Sequence, residues 1–250
     1  MLLASCRVKP EGDALAEAEE AYLNARPAAD SLSRRRRAGE WGLRALLILL
    51  VVDIFVVAPI AQGGTSLVQP VVHSIILVSG IAIASRSRGT ILAVVGVLGV
   101  AGLVTHWTYH DHPTIVLQRA DTALSLTFTA IVASVTLLQV VRAGPITAHR
   151  IEGAVAAYLL VAYAWALAYQ LVELNDPSSF SFPVAAVPQT VRFRLLYFSV
   201  TTLTTVSYGD IAPLAPVARS LAGLEGAIGQ LFPALLLARL VSMELSCDKS

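Results

Sequence analysis

Charge is scarce in this chain: Asp, Glu, Lys and Arg make up 14% of its 250 residues and balance to a net +1, where a soluble domain carries roughly 25% charged residues. A chain with so little charge has no basic face with which to neutralise phosphates, so nucleic acid is excluded as a partner. Cysteine is nearly missing, with Cys6 and Cys247 far apart in polar tails, which excludes a disulfide framework and a zinc site and leaves two free cytoplasmic thiols. No Walker loop, HExxH, GxSxG or paired intramembrane carboxylates occur, so ATP-driven transport and hydrolysis lack their chemistry and no enzyme is expected. There is no internal repeat. A cleavable leader is not expected either, because Met1–Cys6 is too short for an apolar signal core and Pro10–Ala38 is polar; the first span must direct insertion itself.

What the chain has in excess is apolar residues, 56% of the total, with a mean hydropathy of +0.69. They fall into runs at Ala45–Ala61, Val68–Ala84, Ile91–Trp107, Ala123–Val141, Gly153–Val172 and Val217–Met243. Each approaches the ~20 residues that cross a hydrocarbon core as a helix, the first three near the short end. The runs lack a sustained alternation, and an isolated strand cannot satisfy its backbone in lipid, so helices are expected. Arg34–Arg37 precede the first span, Arg86 and Arg88 join the second and third, and Arg142 and Arg150 join the fourth and fifth. The opposite connections carry Arg119, Arg192 and Arg194. This bias places both termini in the cytoplasm. The expected organisation is a cytoplasmic tail over 1–40, a four-span peripheral domain over 41–150, a pore domain over 151–245 and a short tail over 246–250. Within the first tail, Glu11–Arg26 is Ala- and Glu-rich and reads as a solubilising leader or as the docking segment of a cytoplasmic partner.

The connection Asn175–Pro213 between the last two runs is too long for a turn. It holds an amphipathic stretch, Val191–Leu203, followed at once by Thr204-Thr205-Val206-Ser207-Tyr208-Gly209-Asp210. The string Phe198–Val206 is similar to the end of a potassium-channel pore helix running into its filter, and Tyr208-Gly209-Asp210 matches the filter's outer half. The resemblance covers Gly153–Met243, the two-span pore unit; the first four spans share only hydropathy with six-span channels. It implies ion sites built from the carbonyls of Thr205, Val206, Ser207 and Tyr208 plus the Thr205 hydroxyl, with potassium as the permeant ligand and no cofactor. It also implies that Tyr208 packs outward as a spacer and that Asp210 adds negative charge at the external mouth. The chemistry suits those residue types, because a dehydrated cation needs a ring of oxygen ligands and Gly209 tolerates the backbone twist that keeps carbonyls inward. One strand cannot ring an ion, so one motif per chain implies a homotetramer.

Two departures from the family stand out. Its filter reads Thr-Val-Gly-Tyr-Gly, and Ser207 replaces the first glycine. A left-handed residue with a Cβ costs ~1 to 2 kcal/mol per subunit, leaving three outcomes open: a potassium filter supported by its surroundings, a looser filter that also passes sodium, or a collapsed one. The fourth span has no Lys or Arg apart from Arg142 at its end, so voltage sensing of the usual kind is not expected.

Asp53 in the first span, His73 in the second and Glu225 in the sixth are intramembrane ionisable residues and hence functional candidates. An Asp53–His73 hydrogen bond that fixes packing is favoured over proton coupling, and Glu225 is read as a structural bond behind the pore helix. Gly223, Gly226 and Gly229 recur at helical spacing before Pro233; close packing is the simpler reading of the first two, leaving Gly229 and Pro233 as gating-hinge candidates. His106, His110 and His112, with Asp111, cluster beyond the third span, and their spacing matches no zinc motif.

The sequence therefore predicts an all-α integral membrane protein, six spans with a re-entrant pore helix and extended filter, forming a four-fold tetramer in a bacterial inner membrane. Its expected activity is passive cation conduction. The rivals are a nonselective cation channel, and a non-conducting scaffold or transporter subunit.

Overall fold

A computed structural model describes residues 43–61, 68–84, 89–141, 148–183 and 188–247. The expectations placed on 1–40, on Arg86, Arg88 and Arg142, and on the last three residues lie outside these. The described chain is helical: α1 (Leu43–Ile60), α2 (Val68–Ala84), α3 (Gly89–Asp111), α4 (Ile115–Val141), α5 (Ala148–Asn175), α6 (Pro188–Leu203) and α7 (Pro216–Cys247). Two-residue strands β1 (Phe180–Ser181) and β2 (Ala212–Pro213) pair antiparallel, with Phe180 opposite Pro213.

Five helices among the described residues are long and apolar enough to cross a membrane: α1, α3, α4, α5 and α7. The sixth expected span forms as α2, a single helix of 17 residues. At 1.5 Å per residue its described length is about 25 Å, near the short end of what crosses a hydrocarbon core, as is α1 at 18 residues.

Local chemistry sets the ends. Thr114 Oγ1 accepts from the Leu117 N–H at 3.3 Å and caps α4. Pro188 and Pro216 open α6 and α7, where a missing N–H costs nothing. In α1, Pro59 cannot donate to the carbonyl four residues back, and the preceding turn widens over Asp53–Val57, the Ala58 N–H reaching Asp53 O. That wide turn buries Asp53.

Packing divides into two parts. Leu46, Leu50, Leu77, Val95, Phe128, Val132, Leu160 and Leu167 form a core shared by α1–α5, with α4 lying along α5. A second cluster, Tyr169, Phe180, Leu195, Phe198, Ile211 and Ala218, sits behind the segment that follows α6. In it the rings of Tyr169, Phe180 and Phe198 meet edge to face at 5.2 to 5.5 Å. Helix α7 is the barest, leaving Leu224, Leu231, Leu235 and Leu237 exposed.

Candidate functional site

Helix α6 ends at Leu203, and its last turn organises the segment after it. The Thr201 carbonyl accepts from both the Val206 N–H (2.9 Å) and the Ser207 N–H (3.1 Å). In a planar trans peptide the C=O points opposite to the N–H. The carbonyls of Thr205 and Val206 are therefore turned away from α6. Thr205 (φ +61°), Ser207 (φ +40°) and Gly209 (φ +79°) are left-handed. Ser207 thus carries a Cβ in a backbone region that favours glycine. Tyr208 is 72% exposed and stacks parallel to Tyr197 of α6, ring centroids 6.4 Å apart, while the Tyr197 hydroxyl donates to Asp210 Oδ1 at 3.3 Å. Tyr208 so packs against α6 at the segment's outer end, beside Asp210. A cavity of about 470 Å³ lies between this segment and α7, lined among others by Thr202, Thr205, Ser207, Gly209 and Gly226.

Behind α6, Glu225 is 0% exposed. Its carboxyl meets Ser199 Oγ of α6 and Tyr169 OH of α5, both at 2.5 Å. Three helices are thereby joined at one side chain. At the end of α6 the Leu203 carbonyl accepts from Tyr158 OH at 2.9 Å. A Cβ on Gly229 would stand 2.0 Å from the same oxygen. Gly223 and Gly226 have open space where a Cβ would go. Within one chain, the close approach expected of Gly223 and Gly226 falls on Gly229 instead; Pro233 lies one turn further along α7.

The largest departure from expectation is a buried polar cluster where α6 meets the other helices. Arg192, on the first turns of α6, donates through Nη2 to Tyr163 OH (3.1 Å) and to His73 Nδ1 (3.1 Å), and its Nη1 lies 3.9 Å from Asp121 Oδ2. Asp53, His73, Tyr163 and Arg192 line one small pocket, so Asp53 and His73 share this cluster, and among the described residues His73 meets Tyr163 and Arg192 without the direct bond expected to Asp53. A guanidinium only donates, so His73 Nδ1 accepts and Nε2 carries the hydrogen, which goes to Ser125 Oγ at 3.2 Å. His106 does not join His110 and His112 outside the third span. It is buried at 5% exposure within α3, with Nδ1 3.4 Å from the Asp121 carboxylate and its ring 4.6 Å from that of His73. The reason is position along the helix: His106 and His110, four residues apart, lie on the same face, but His106 sits a turn deeper, against α4, while His110 is exposed near the end of α3 and meets Trp107.

His73, His106 and Asp121 bring one ligand atom each to within 4.8 Å of one another. Both His73 nitrogens are already engaged and a resident cation, Arg192, stands beside His73 and Asp121, so the donor set forms a charge cluster and does not fit a metal centre.

Sequence reasoning placed Arg192 in an outer loop and passed over Asp121, Ser125 and Tyr163. The available signal was that Arg192 and Asp121 each begin an apolar run within a turn or two of its end.

Residues 157–245 match a family model described as an ion channel. The match spans most of α5, the connection after it, α6, the segment that follows and most of α7. Neither the curated proteins nor the solved structures contain a match to this chain. The match and the five long apolar helices support an integral membrane protein whose residues 157–245 are similar to an ion-channel domain.

Proposed function

We propose that four copies of this chain surround one axis and conduct monovalent cations, potassium foremost, through a filter formed by the backbone of residues 205–209. The observation that carries this reading is the pair of bonds from the Val206 and Ser207 N–H groups to Thr201 O. They turn the Thr205 and Val206 carbonyls away from α6, the orientation a carbonyl-lined filter requires. Non-helical backbone at membrane depth is tolerated where protein sheathes it or it lines a wet cavity. The aromatic cluster of Tyr169, Phe180 and Phe198 supplies the sheath on one side, and neighbouring subunits supply it on the other. They also cover the exposed apolar face of α7. Glu225, Gly229 and Tyr158 hold the pore helix in place, and α1–α4 form a scaffold around the pore unit.

Ser207 at φ +40° favours a second reading, a filter that also passes sodium. A left-handed Cβ costs ~1 to 2 kcal/mol, or about 4 to 8 kcal/mol over four subunits, enough to reshape the ring. The test is the bi-ionic reversal potential of the protein in planar bilayers, potassium against sodium, with Ser207→Gly measured alongside. Reversal near the potassium equilibrium potential in both proteins supports the selective filter. Reversal near zero that moves toward potassium in Ser207→Gly supports the nonselective one. Absence of current from both overturns conduction.

A further inference from the structure

The pore helix is tied to the peripheral helices by a cluster whose charges do not balance. Asp53 and Asp121 carry two negative charges and Arg192 one positive charge, so with both histidines neutral the cluster holds a net negative charge away from water. One bound proton brings it to neutrality, and a buried charge that can be neutralised draws a proton strongly. Asp53 is one place for that proton and the His106–Asp121 pair is the other; among the described residues, the unpartnered buried atoms of the cluster are at the pair. His73 is fully committed, its Nδ1 to Arg192 and its Nε2 to Ser125. His106 is not: its Nδ1 faces the Asp121 carboxylate at 3.4 Å, and its Nε2 has no hydrogen-bond partner among the described residues. Asp121 Oδ1 also lacks a hydrogen-bond partner there. Both residues are more than nine-tenths buried. His106 lies five residues before the end of α3 and Asp121 six after the start of α4, on either side of the exposed connection 112–114. The site is therefore about two helical turns from water.

We propose that the His106–Asp121 pair is a proton-binding site through which acid on the side of the α3–α4 connection controls the pore helix. The groups in contact with His106 are Asp121 from α4 and His73 from α2; around these two stand Ser125 from α4, Tyr163 from α5 and Arg192 from α6, with Asp53 from α1 in the same cluster and Tyr109 on the helix of His106. Arg192 is held to Asp121 by a 3.9 Å ion pair, the loosest of its contacts, with two 3.1 Å bonds beside it. When His106 takes a proton, its cation competes with Arg192 for the Asp121 carboxylate. The hold on the first turns of α6 weakens, and α6 is the helix whose far end anchors the Val206 and Ser207 N–H groups. Acid on that side lowers conduction. This regulation rests on the channel reading; the proton site does not.

The experiment uses the full chain in lipid vesicles with two readouts. The first is ¹⁵N NMR of the five histidine rings, His106 being identified by the signal lost in His106→Gln. The expected result is a step in the His106 signals with pH, followed from about pH 5 to 8, with His73 held in its Nε2–H form throughout. In Asp121→Asn that step shifts, because the carboxylate facing His106 is gone. A His106 ring unchanged across that range overturns the site, and so does a step that Asp121→Asn does not move. The second readout is potassium flux with pH varied on each side separately. Flux that falls with acid on one side in the wild type, and stays level in His106→Gln, supports the coupling. Flux indifferent to pH while His106 titrates overturns it. No flux at any pH while His106 titrates overturns the channel reading and leaves the proton site supported.

Discussion

Glu225 Oε1 lies 2.5 Å from Ser199 Oγ, and that same hydroxyl stands 2.7 Å from the Ala162 carbonyl oxygen. A serine hydroxyl has one hydrogen, and a carbonyl cannot donate. If Ser199 donates to Ala162, the hydrogen in the shorter contact belongs to Glu225. Tyr169 then donates to Glu225 Oε2 at 2.5 Å, and every oxygen in the chain of contacts is used once. The arrangement is that of a neutral carboxylic acid clasped between three helices.

A neutral acid has a close amide equivalent, and this makes the first prediction. Glu225→Gln keeps an N–H for Ser199 and a carbonyl for Tyr169, leaving one buried N–H over, and costs about 1 kcal/mol. Glu225→Ala strands the buried Tyr169 hydroxyl, leaves Ser199 only its bond to Ala162 O and opens a cavity, at about 3 to 5 kcal/mol. Thermal unfolding of the detergent-solubilised assembly separates the two. A glutamine variant as damaged as the alanine variant would show that the clasp needs a charge.

Arg192 and Arg194 give a second contrast from a single helix. Arg192→Leu leaves Asp53 and Asp121 buried beside no compensating cation, a loss of about 3 to 5 kcal/mol. Arg192→Lys recovers little of it, because one ammonium cannot reproduce a fork that meets Tyr163 and His73 together. Arg194 lies over the Phe182 ring at 5.8 Å, a contact of about 0.5 to 1 kcal/mol where solvent reaches it. Chemical unfolding of Arg194→Gln beside the two Arg192 variants checks the order; equal losses would mean that the cluster does not anchor α6.

That contrast also shows what the sequence could and could not disclose. Long apolar runs announced the helices, since nothing but burial or lipid explains them, and the Thr201–Asp210 string announced the segment after α6. Two arginines spaced by two residues read alike in one dimension, yet in a helix they point some 200° apart, and only packing decides which is buried. His106 and His110 posed a different difficulty: four residues apart they share a face of α3, and only their depth along the helix separates the buried ring from the exposed one. Asp121 was hidden differently: it stands at the start of an apolar run, where a carboxylate reads as a solvated end, and its burial depends on α3 and α6 arriving from elsewhere in the chain. Pro59 was legible as a helix disturbance, but its effect on the aim of Asp53 was not.

A third prediction concerns the outer end of the filter segment. Asp210 is exposed and accepts from the Tyr197 hydroxyl at 3.3 Å. In a four-fold assembly it places four negative charges around one mouth, which raises the local cation concentration at low salt. Asp210→Asn is expected to lower single-channel conductance about two- to threefold near 0.01 M salt, where the Debye length is ~30 Å, and to leave it unchanged near 1 M, where it is ~3 Å. Tyr197→Phe keeps the ring stacked on Tyr208 and the charge at the mouth, so its conductance follows the wild type at both concentrations. A loss in Asp210→Asn that persists at high salt would assign Asp210 to the filter's structure instead of its field.

The last prediction tests whether the inner helix can pivot without dragging the pore helix along. A Cβ at Gly229 would meet Leu203 O at 2.0 Å, and the obstacle is backbone, so the clash cannot be relieved by a rotamer change. Either α7 or the end of α6 must shift by more than an ångström in Gly229→Ala. Because the Thr201 carbonyl two residues upstream orients the filter segment, that shift is expected to reduce ion flux tenfold or more, a change of about 1.4 kcal/mol or greater in the conducting state. Tyr158→Phe removes the other grip on Leu203 O, a single 2.9 Å hydrogen bond worth about 1 kcal/mol, and is expected to change flux less than fivefold. Gly223→Ala and Gly226→Ala meet open space within the chain, so an effect from either would come from a neighbouring subunit and would appear in the yield of assembled tetramer on gel filtration. Flux in Gly229→Ala equal to the wild type would show that α7 moves independently of α6, and would return Gly229 to the role of a free hinge.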